Sequence, residues 1–166
     1  MALDEDEFAA LVAEHDRDLR RLAFRVLGDR HAMDDALQDA YVKAFRALPR
    51  FRGASSPRTW LYRIVYNACL DHARRERAHA RLDEPAATAP DPGDLVAGRA
   101  ALATALAGLP VDQRAAVLLV DLHGFAYPDA AAVLDVHVGT VASRLSRARE
   151  ALRSALASSR KGAELG

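Results

Sequence analysis

Arginine and hydroxyl side chains near the C-terminal end of the chain have the types and the spacing needed to contact a nucleic acid. Val141, Leu145 and Ala148 recur at helical intervals, so they form the apolar stripe of one helix. The other face of this helix carries polar residues: Thr140, Ser143, Arg144 and Arg147. Guanidinium groups and hydroxyls bind phosphates and the edges of bases. One face can therefore pack while the other contacts DNA.

The residues before this basic helix strengthen the interpretation. Residues 128–134 begin with a proline and predict a short helix, and Asp135 to Gly139 predict a tight connection. A short helix, a brief turn and a longer basic helix make a helix-turn-helix, whose second helix lies in the major groove of DNA. Taken alone, an arginine-rich helix face is also typical of an ordinary solvated surface.

A second group of arginines is interleaved with aromatic residues between residues 50 and 77. Ser56 and Pro57 form a good cap and first turn for the helix that carries most of them, which is expected to run through Arg75. Aromatic faces can hold unstacked bases while arginines neutralise phosphates. This segment therefore predicts contact with unpaired bases, although Trp60 could equally be a core residue.

Other chemistry is poorly supported. Cys69 is the single cysteine, and its spacing from His72 and His79 matches no common zinc site. The chain has no glycine-rich phosphate loop, and its serines have no evident base partner. We expect no metal, no cofactor and no catalytic site, so the protein is not predicted to be an enzyme.

The elements that position these residues are predicted to be all α-helical. A first helix over residues 5–27 ends at Gly28, and Asp29 caps a second helix that continues to Pro49. The apolar stripe of the second helix includes Phe45, and its outer face is acidic. Such a row of acids is most often only a solubilising surface.

Residues 82–94 contain three prolines and almost no large apolar side chain, so they predict a flexible linker that reaches at most ~45 Å. We therefore expect two small helical domains, at residues 1–81 and 95–166. No apolar run is long enough for a membrane span, and the acidic start is unlike a signal peptide. A cytoplasmic protein without membrane insertion is expected.

Charge is segregated along the chain, although the formal net charge is zero. Residues 1–39 carry eleven acids against five arginines, a balance of −6. Residues 45–77 carry eight arginines against two acids, and residues 142–161 carry six basic residues against one acid. Two basic segments indicate two nucleic-acid contacts, and the acidic start indicates a different partner.

Two blocks of motifs, in order, resemble the second and fourth conserved regions of bacterial extracytoplasmic-function sigma factors of the sigma-70 family. The first block includes Asp34 to Tyr41, Phe51 to Gly53 and Thr59 to Ile64, followed by Asn67 and Asp71 to Arg75. The second includes Leu109-Pro110, Gln113-Arg114, Gly139 to Val141, Ser143-Arg144 and Arg147 to Arg149. The resemblance covers about residues 8–157.

This resemblance implies binding to core RNA polymerase and to promoter DNA, with minus-10 and minus-35 elements read by separate domains. It implies three sets of contact residues. Core polymerase would contact Asp35, Gln38 and Asp39. The minus-10 element would be read and opened by Arg52, Gly53, Ala54, Ser55, Trp60, Arg63, Asn67, Arg74 and Arg75. The minus-35 element would be contacted by Thr140, Ser143, Arg144, Ser146 and Arg147.

Four positions depart from the family pattern: Pro57, Ala126, Ala130 and Ala142. Ala142 stands where a basic residue is common, so one DNA contact is expected to be missing. Ala126 stands where a Ser or Thr cap is common, which would cost the short helix ~1 kcal/mol.

The resemblance also implies control by an anti-sigma factor that binds between or around the two domains. Two alternatives compete with the sigma-factor interpretation. A stand-alone helix-turn-helix regulator would bind duplex DNA by itself, with a steep salt dependence. A helical adaptor would bind only proteins.

Overall fold

The computed structural model describes residues 2–80 and 97–165, and the regular elements in these two ranges are all helical. The α-helices are α1 (Glu5–Leu27), α2 (Arg30–Ala47), α3 (Pro57–Ala80), α4 (Ala97–Ala107), α5 (Val111–Val117), α6 (Tyr127–Leu134) and α7 (Val138–Glu164). A 3₁₀ turn, Leu48–Arg50, follows α2, and a π-helical turn, Leu118–Leu122, follows α5. The all-α prediction is confirmed. The linker predicted at residues 82–94 lies outside the described residues.

Three helix boundaries are confirmed because the hydrogen bonds that set them are local. Gly28 ends α1 in the left-handed conformation (φ 72°), and its N–H donates to the carbonyl of Phe24. The Asp29 carboxylate accepts from the Ala32 N–H at 3.0 Å at the start of α2. The Ser56 Oγ accepts from the Thr59 N–H at 3.1 Å at the start of α3.

The connection into the basic helix is shorter than predicted. Asp135 takes the left-handed conformation (φ 55°) after α6, and His137 already serves as the N-cap of α7. The N–H groups of Thr140 and Val141 donate to the His137 carbonyl, so Gly139 lies inside the first helical turn rather than in the connection. The N-cap of α6 is Ala126, and it supplies no side-chain hydrogen bond, as predicted.

Two other details of the helices differ from the predictions. Helix α3 runs to Ala80, about one turn beyond Arg75. Phe45 was expected in the apolar stripe of α2, but its side chain is 48% exposed. Its ring lies near that of the buried Phe8 of α1, at 6.1 Å between centroids, while much of its surface stays open to solvent.

We call residues 2–80 the N-terminal half and residues 97–165 the C-terminal half. In the N-terminal half α1, α2 and α3 pack against one another around buried leucines such as Leu22, Leu37 and Leu61. In the C-terminal half α5 and α6 pack against α7. The halves also contact each other, α3 against α6 and α1 against α4 and α5, and their buried residues form one connected cluster. The division into separate domains stays a prediction.

Helix α3 is buried on a wider arc than its sequence pattern predicted. Leu61 and Val65 are buried, as expected for the core side of α3, but Tyr62 and Tyr66 are also buried. These tyrosines are one turn apart, on the side of α3 that the C-terminal half covers. Helix α3 thus joins the two halves.

No helix in the described part of the chain is long and apolar enough to span a membrane. Within residues 2–80 and 97–165, no three His, Cys, Asp or Glu side chains are grouped closely enough to hold a metal ion.

Candidate nucleic-acid interfaces

The first turns of α7 present polar side chains on a helix that is anchored from behind. Val141, Leu145 and Ala148 are buried against α5 and α6, which fixes the rotation of α7 about its axis. The opposite face carries the predicted contact residues, of which Ser143, Ser146 and Arg147 are exposed, and Thr140 and Arg144 are half-buried. This face has the shape and polarity needed to enter a major groove.

The amino-terminal end of α7 adds backbone donors to this surface. His137 caps the helix without a side-chain hydrogen bond. The N–H groups of Val138 and Gly139 belong to the first turn, where a helix supplies no intrahelical acceptor, so they can donate to a phosphate. Further along α7, Arg149 makes two hydrogen bonds to Asp121, at 3.0 and 2.7 Å, which tie the helix to the segment before α6. This pairing raises the pKa of Arg149.

Four predicted minus-10 contact residues lie on α3 and are exposed. Arg63, Asn67 and Arg74 are spaced by whole helical turns and share one face, and Arg75 follows directly. The arginines of this set all have acidic neighbours. Their N–O separations are 3.5 Å for Arg63 and Asp135, 3.6 Å for Arg74 and Asp71, and 3.4 Å for Arg75 and Asp39. A phosphate would have to replace these carboxylates.

The loop before α3 lies next to Trp60, the aromatic residue that was predicted to contact the minus-10 element. Trp60 is half-buried, and its ring packs against Phe51 at 5.1 Å between centroids, tilted by 57°. Arg52 bends back to donate to the Pro49 carbonyl at 3.2 Å, and Gly53 takes a positive φ of 72° that favours glycine. The remaining loop residues are Ala54, which is exposed, and Ser55, which is half-buried. Trp60 is thus both a packing residue and a partly accessible ring.

The acidic face of α2 is separate from these arginines except at one point. Asp35 and Gln38 are exposed, whereas Asp39 is half-buried and pairs with Arg75. Val42 and Phe45, at 45% and 48% exposure, extend the same side of α2 with apolar surface that sequence reasoning did not identify. The helical spacing of Gln38, Val42 and Phe45 was the available signal.

The buried titratable groups behind these surfaces are neutral structural residues. Burial raises the pKa of the Cys69 thiol to about 12, so it is not a thiolate ligand or nucleophile. Burial likewise raises the pKa of Tyr66 to about 12. Burial and a 2.8 Å hydrogen bond to Asp16 raise the pKa of Tyr41. These groups provide packing and tie α1 to α2.

Comparison with known families divides the chain in the same way as its two basic segments. Residues 11–79 match the model of sigma-70 region 2, and residues 99–152 match the model of sigma-70 region 4. The first match contains the α2 and α3 surfaces, and the second contains α6 and the exposed start of α7.

Individual relatives agree with these matches. The ECF RNA polymerase sigma factor SigM of Mycobacterium tuberculosis is 44% identical over 154 residues, which cover 92% of this chain and 78% of the relative. The ECF RNA polymerase sigma-E factor of Escherichia coli K12 is 34% identical, covering 90% of this chain and 86% of the relative.

Solved structures share the arrangement of both halves. The sigma factor RpoE of Bartonella quintana, in complex with the anti-sigma factor NepR, superposes with a TM-score of 0.78 at 28% identity, covering 90% of this chain and 96% of that one. CnrH, in complex with the cytosolic domain of CnrY, superposes with a TM-score of 0.71 at 32% identity, covering 93% and 90%.

Proposed function

The chain belongs to the extracytoplasmic-function group of the sigma-70 RNA polymerase sigma factors, and from this premise we propose which of its surfaces perform each step of promoter recognition. As a sigma factor it binds core RNA polymerase and directs transcription initiation at promoters. A stand-alone helix-turn-helix regulator would leave the matched residues 11–79 without a role. The proposed place of action is the cytoplasm, where polymerase and promoter meet.

The start of α7 reads the minus-35 element as duplex DNA in this proposal. Arg147 and Arg144 supply guanidinium groups for guanine edges or phosphates, and the hydroxyls of Ser143 and Ser146 supply shorter contacts. Thr140 and the free N–H groups of the first turn hold a phosphate. Two observations favour this assignment: the face is exposed, and the helix is anchored from behind by the buried Leu145.

Helix α3 and the loop before it read and open the minus-10 element. Arg63, Asn67, Arg74 and Arg75 track the backbone and base edges, and the loop from Arg52 to Ser55 lies beside an extruded base. Unstacking a base costs a few kcal/mol, and stacking on an aromatic ring offsets about 1–3 kcal/mol of it. The partly accessible ring of Trp60 is suited to that contact. This role consists of binding, so it needs no bond-making chemistry from the chain.

Core polymerase binds the outer face of α2, through Asp35, Gln38 and Asp39. The adjacent exposed side chains of Val42 and Phe45 add an apolar contact to this acidic face. A binding surface that combines buried apolar area with a charged rim is typical of protein interfaces.

Control by an anti-sigma factor is the remaining part of the proposal. The solved relative RpoE, which resembles this chain over both halves, is bound to the anti-sigma factor NepR. An inhibitor of this kind would contact both halves of the present chain. Such an inhibitor would be identified as a protein that binds this chain and prevents it from binding core polymerase.

The observation that carries the proposal is the separation of the predicted contacts into three exposed surfaces, on α2, α3 and α7, each backed by buried side chains. The test is reconstitution of the full chain with core polymerase and a panel of promoters. Replacing both Asp35 and Gln38 by Ala should weaken core binding at least tenfold, measured by native gel or fluorescence anisotropy. Glu14→Ala, an exposed acid on α1, is the matched control and should bind like the wild type.

Failure of the wild-type chain to bind core polymerase, or to start transcription at any promoter of the panel, would overturn the proposal. Equal loss of core binding in the Glu14→Ala control would show that net charge, rather than the α2 face, determines the interaction.

A further inference from the structure

The outer face of α7 carries different chemistry along its two edges. With 3.6 residues per turn, Thr140, Arg144 and Arg147 follow one edge, so the two guanidinium groups proposed for the minus-35 element lie together there. Val138 and Ala142, one turn apart, follow the opposite edge. Both are exposed, Val138 to 44%. We call these the basic edge and the apolar edge of α7.

The next arginine along the apolar edge is tied to another segment. Arg149 lies on this side of the helix, two turns beyond Ala142. Two hydrogen bonds, at 3.0 and 2.7 Å, hold its guanidinium on the carboxylate of Asp121. A long basic side chain could reach a phosphate from this edge, whereas valine and alanine cannot. The apolar edge therefore needs an apolar feature of DNA as its partner.

Ser143 lies between the two edges, and the structure gives the direction of its hydrogen bond. Its Oγ donates to the Thr140 carbonyl at 3.0 Å, so only its lone pairs remain for DNA. In the major groove such an oxygen accepts from the amino group of adenine or of cytosine. Of the A·T and G·C pairs that carry these groups, only A·T also presents a methyl group.

The 5-methyl group of thymine is the apolar feature that the major groove offers. The amino group of cytosine, placed against Val138 or Ala142, would lose water without gaining an acceptor. These two residues are four positions apart, which is about 6 Å along the helix axis. Two base-pair steps of DNA rise by about 7 Å. The apolar edge can thus meet the thymines of one or two neighbouring base pairs.

We propose that Val138 and Ala142 are specificity-determining residues of the minus-35 surface, and that they contact the 5-methyl groups of one or two neighbouring thymines. The inference rests on the proposed function, in which the start of α7 reads the minus-35 element. It adds the base and the atom that the apolar edge recognises. The basic edge binds guanines or phosphates, while Ser143 and the apolar edge select an A·T pair beside them.

Deoxyuridine tests the methyl contact directly, because it differs from thymidine only in lacking the 5-methyl group. Holoenzyme reconstituted from core polymerase and the full chain first selects a promoter duplex from a library randomised across the minus-35 region. Each thymine of that region in the selected duplex is then replaced singly by deoxyuridine, and the relative affinity is measured by competition. We expect one or two positions to weaken binding roughly fourfold, the effect of one buried methyl group, and the others to leave it unchanged.

Two variants connect this effect to the apolar edge. Val138→Ala shortens an exposed side chain and raises helix propensity, so the chain should fold. Ala142→Gly removes the methyl group of the second residue. In both variants the cost of the sensitive deoxyuridine should fall from roughly fourfold to less than about twofold. Ala151→Gly, an exposed alanine further along α7, is the matched control for the glycine substitution and should keep the fourfold cost.

Two results would overturn the thymine contact. One is a selected duplex in which no minus-35 thymine is sensitive to deoxyuridine. The other is a deoxyuridine cost that stays the same in both Val138→Ala and Ala142→Gly. Failure of the proposed function would appear separately, because the holoenzyme would then select no minus-35 sequence from the library.

Discussion

Helices α3 and α7 both present arginines for DNA, but they differ in how these side chains are held. In the described part of the chain no carboxylate lies within 4.0 Å of Arg147, and its neighbours Ser143 and Ser146 are exposed. On α3 the proposed contact arginines pair with acids, and one of those acids belongs to the other half. Arg144 of α7 also pairs with an acid, Asp112, at 3.7 Å. Within the proposed minus-35 surface Arg147 is therefore ready to contact DNA, whereas Arg144 and the proposed minus-10 arginines must exchange partners.

The cost of that exchange is modest for each pair. Exposed ion pairs contribute about 0.2–1 kcal/mol each, because solvent and salt screen them. Phosphates of a DNA strand can replace the carboxylates with release of counterions. We therefore expect the ion pairs of these arginines to weaken binding to random DNA by a small amount.

Arg147, which has no acidic partner among the described residues, should show the largest effect of a single substitution. Arg147→Ala removes a guanidinium that is ready to contact a base or phosphate, so minus-35 duplex binding should weaken by about 1–3 kcal/mol, roughly fivefold to 150-fold. Fluorescence anisotropy with a minus-35 duplex measures this, and core binding should not change. Arg160→Ala, about 20 Å further along α7, is the control. Equal losses in both variants would mean that α7 acts only through its overall charge.

The parts of this comparison that could be predicted from the sequence depend on local spacing. Gly28, Asp29 and Ser56 act through hydrogen bonds that span three or four residues. The helix ends can therefore be predicted from residues that are close in the sequence. The exposed face of α7 followed in the same way from helical periodicity.

The parts that could not be predicted depend on tertiary contacts. Arg58 and Phe125 are far apart in the chain, and their stacking has no sequence motif. The C-terminal half packs against α3 and covers Tyr62 and Tyr66, which is why α3 is buried on a second side. Phe45 fitted the apolar period of α2, but that stripe is wider than the surface that α1 and α3 cover. Periodicity identifies apolar residues and does not reveal which partner covers them.

The contact between the N-terminal and C-terminal halves should weaken in acid through His123. Its ring lies against Tyr62 at 5.7 Å between centroids, and its Nε2 has no hydrogen-bond partner among the described residues. Burial lowers the pKa of His123 from 6.5; Asp18 opposes this shift, and the charges of Arg58 and Arg21 add to it. A form in which the halves separate and His123 is exposed would bind the proton more readily. We therefore expect the contact between the halves to be fully favoured above pH 6.5 and to weaken as the pH falls toward the lowered pKa.

Small-angle X-ray scattering at a series of pH values tests the direction of this pH dependence. The radius of gyration of the wild type should increase between about pH 7.5 and about pH 5.5, whereas His123→Phe keeps the ring contact with Tyr62 and should lose most of this dependence. The difference between the two proteins isolates His123 from the other histidines. A wild type that becomes more compact in acid would contradict the assignment.

The smallest effect is expected at Asp39, where the proposed polymerase-binding face of α2 meets the proposed minus-10 surface of α3. Asp39→Asn removes the partner of Arg75 without changing the shape of the side chain, and the pair is exposed enough to contribute under about 1 kcal/mol. Binding of the chain to single-stranded minus-10 DNA should therefore tighten by only about twofold to fivefold, measured by anisotropy at low salt, while core binding weakens. Arg75→Ala in the same background should cancel the gain, because the released guanidinium is what binds the strand. A gain that survives in the double variant would mean that Asp39 acts by general repulsion of DNA, and the polymerase and minus-10 surfaces would then be independent.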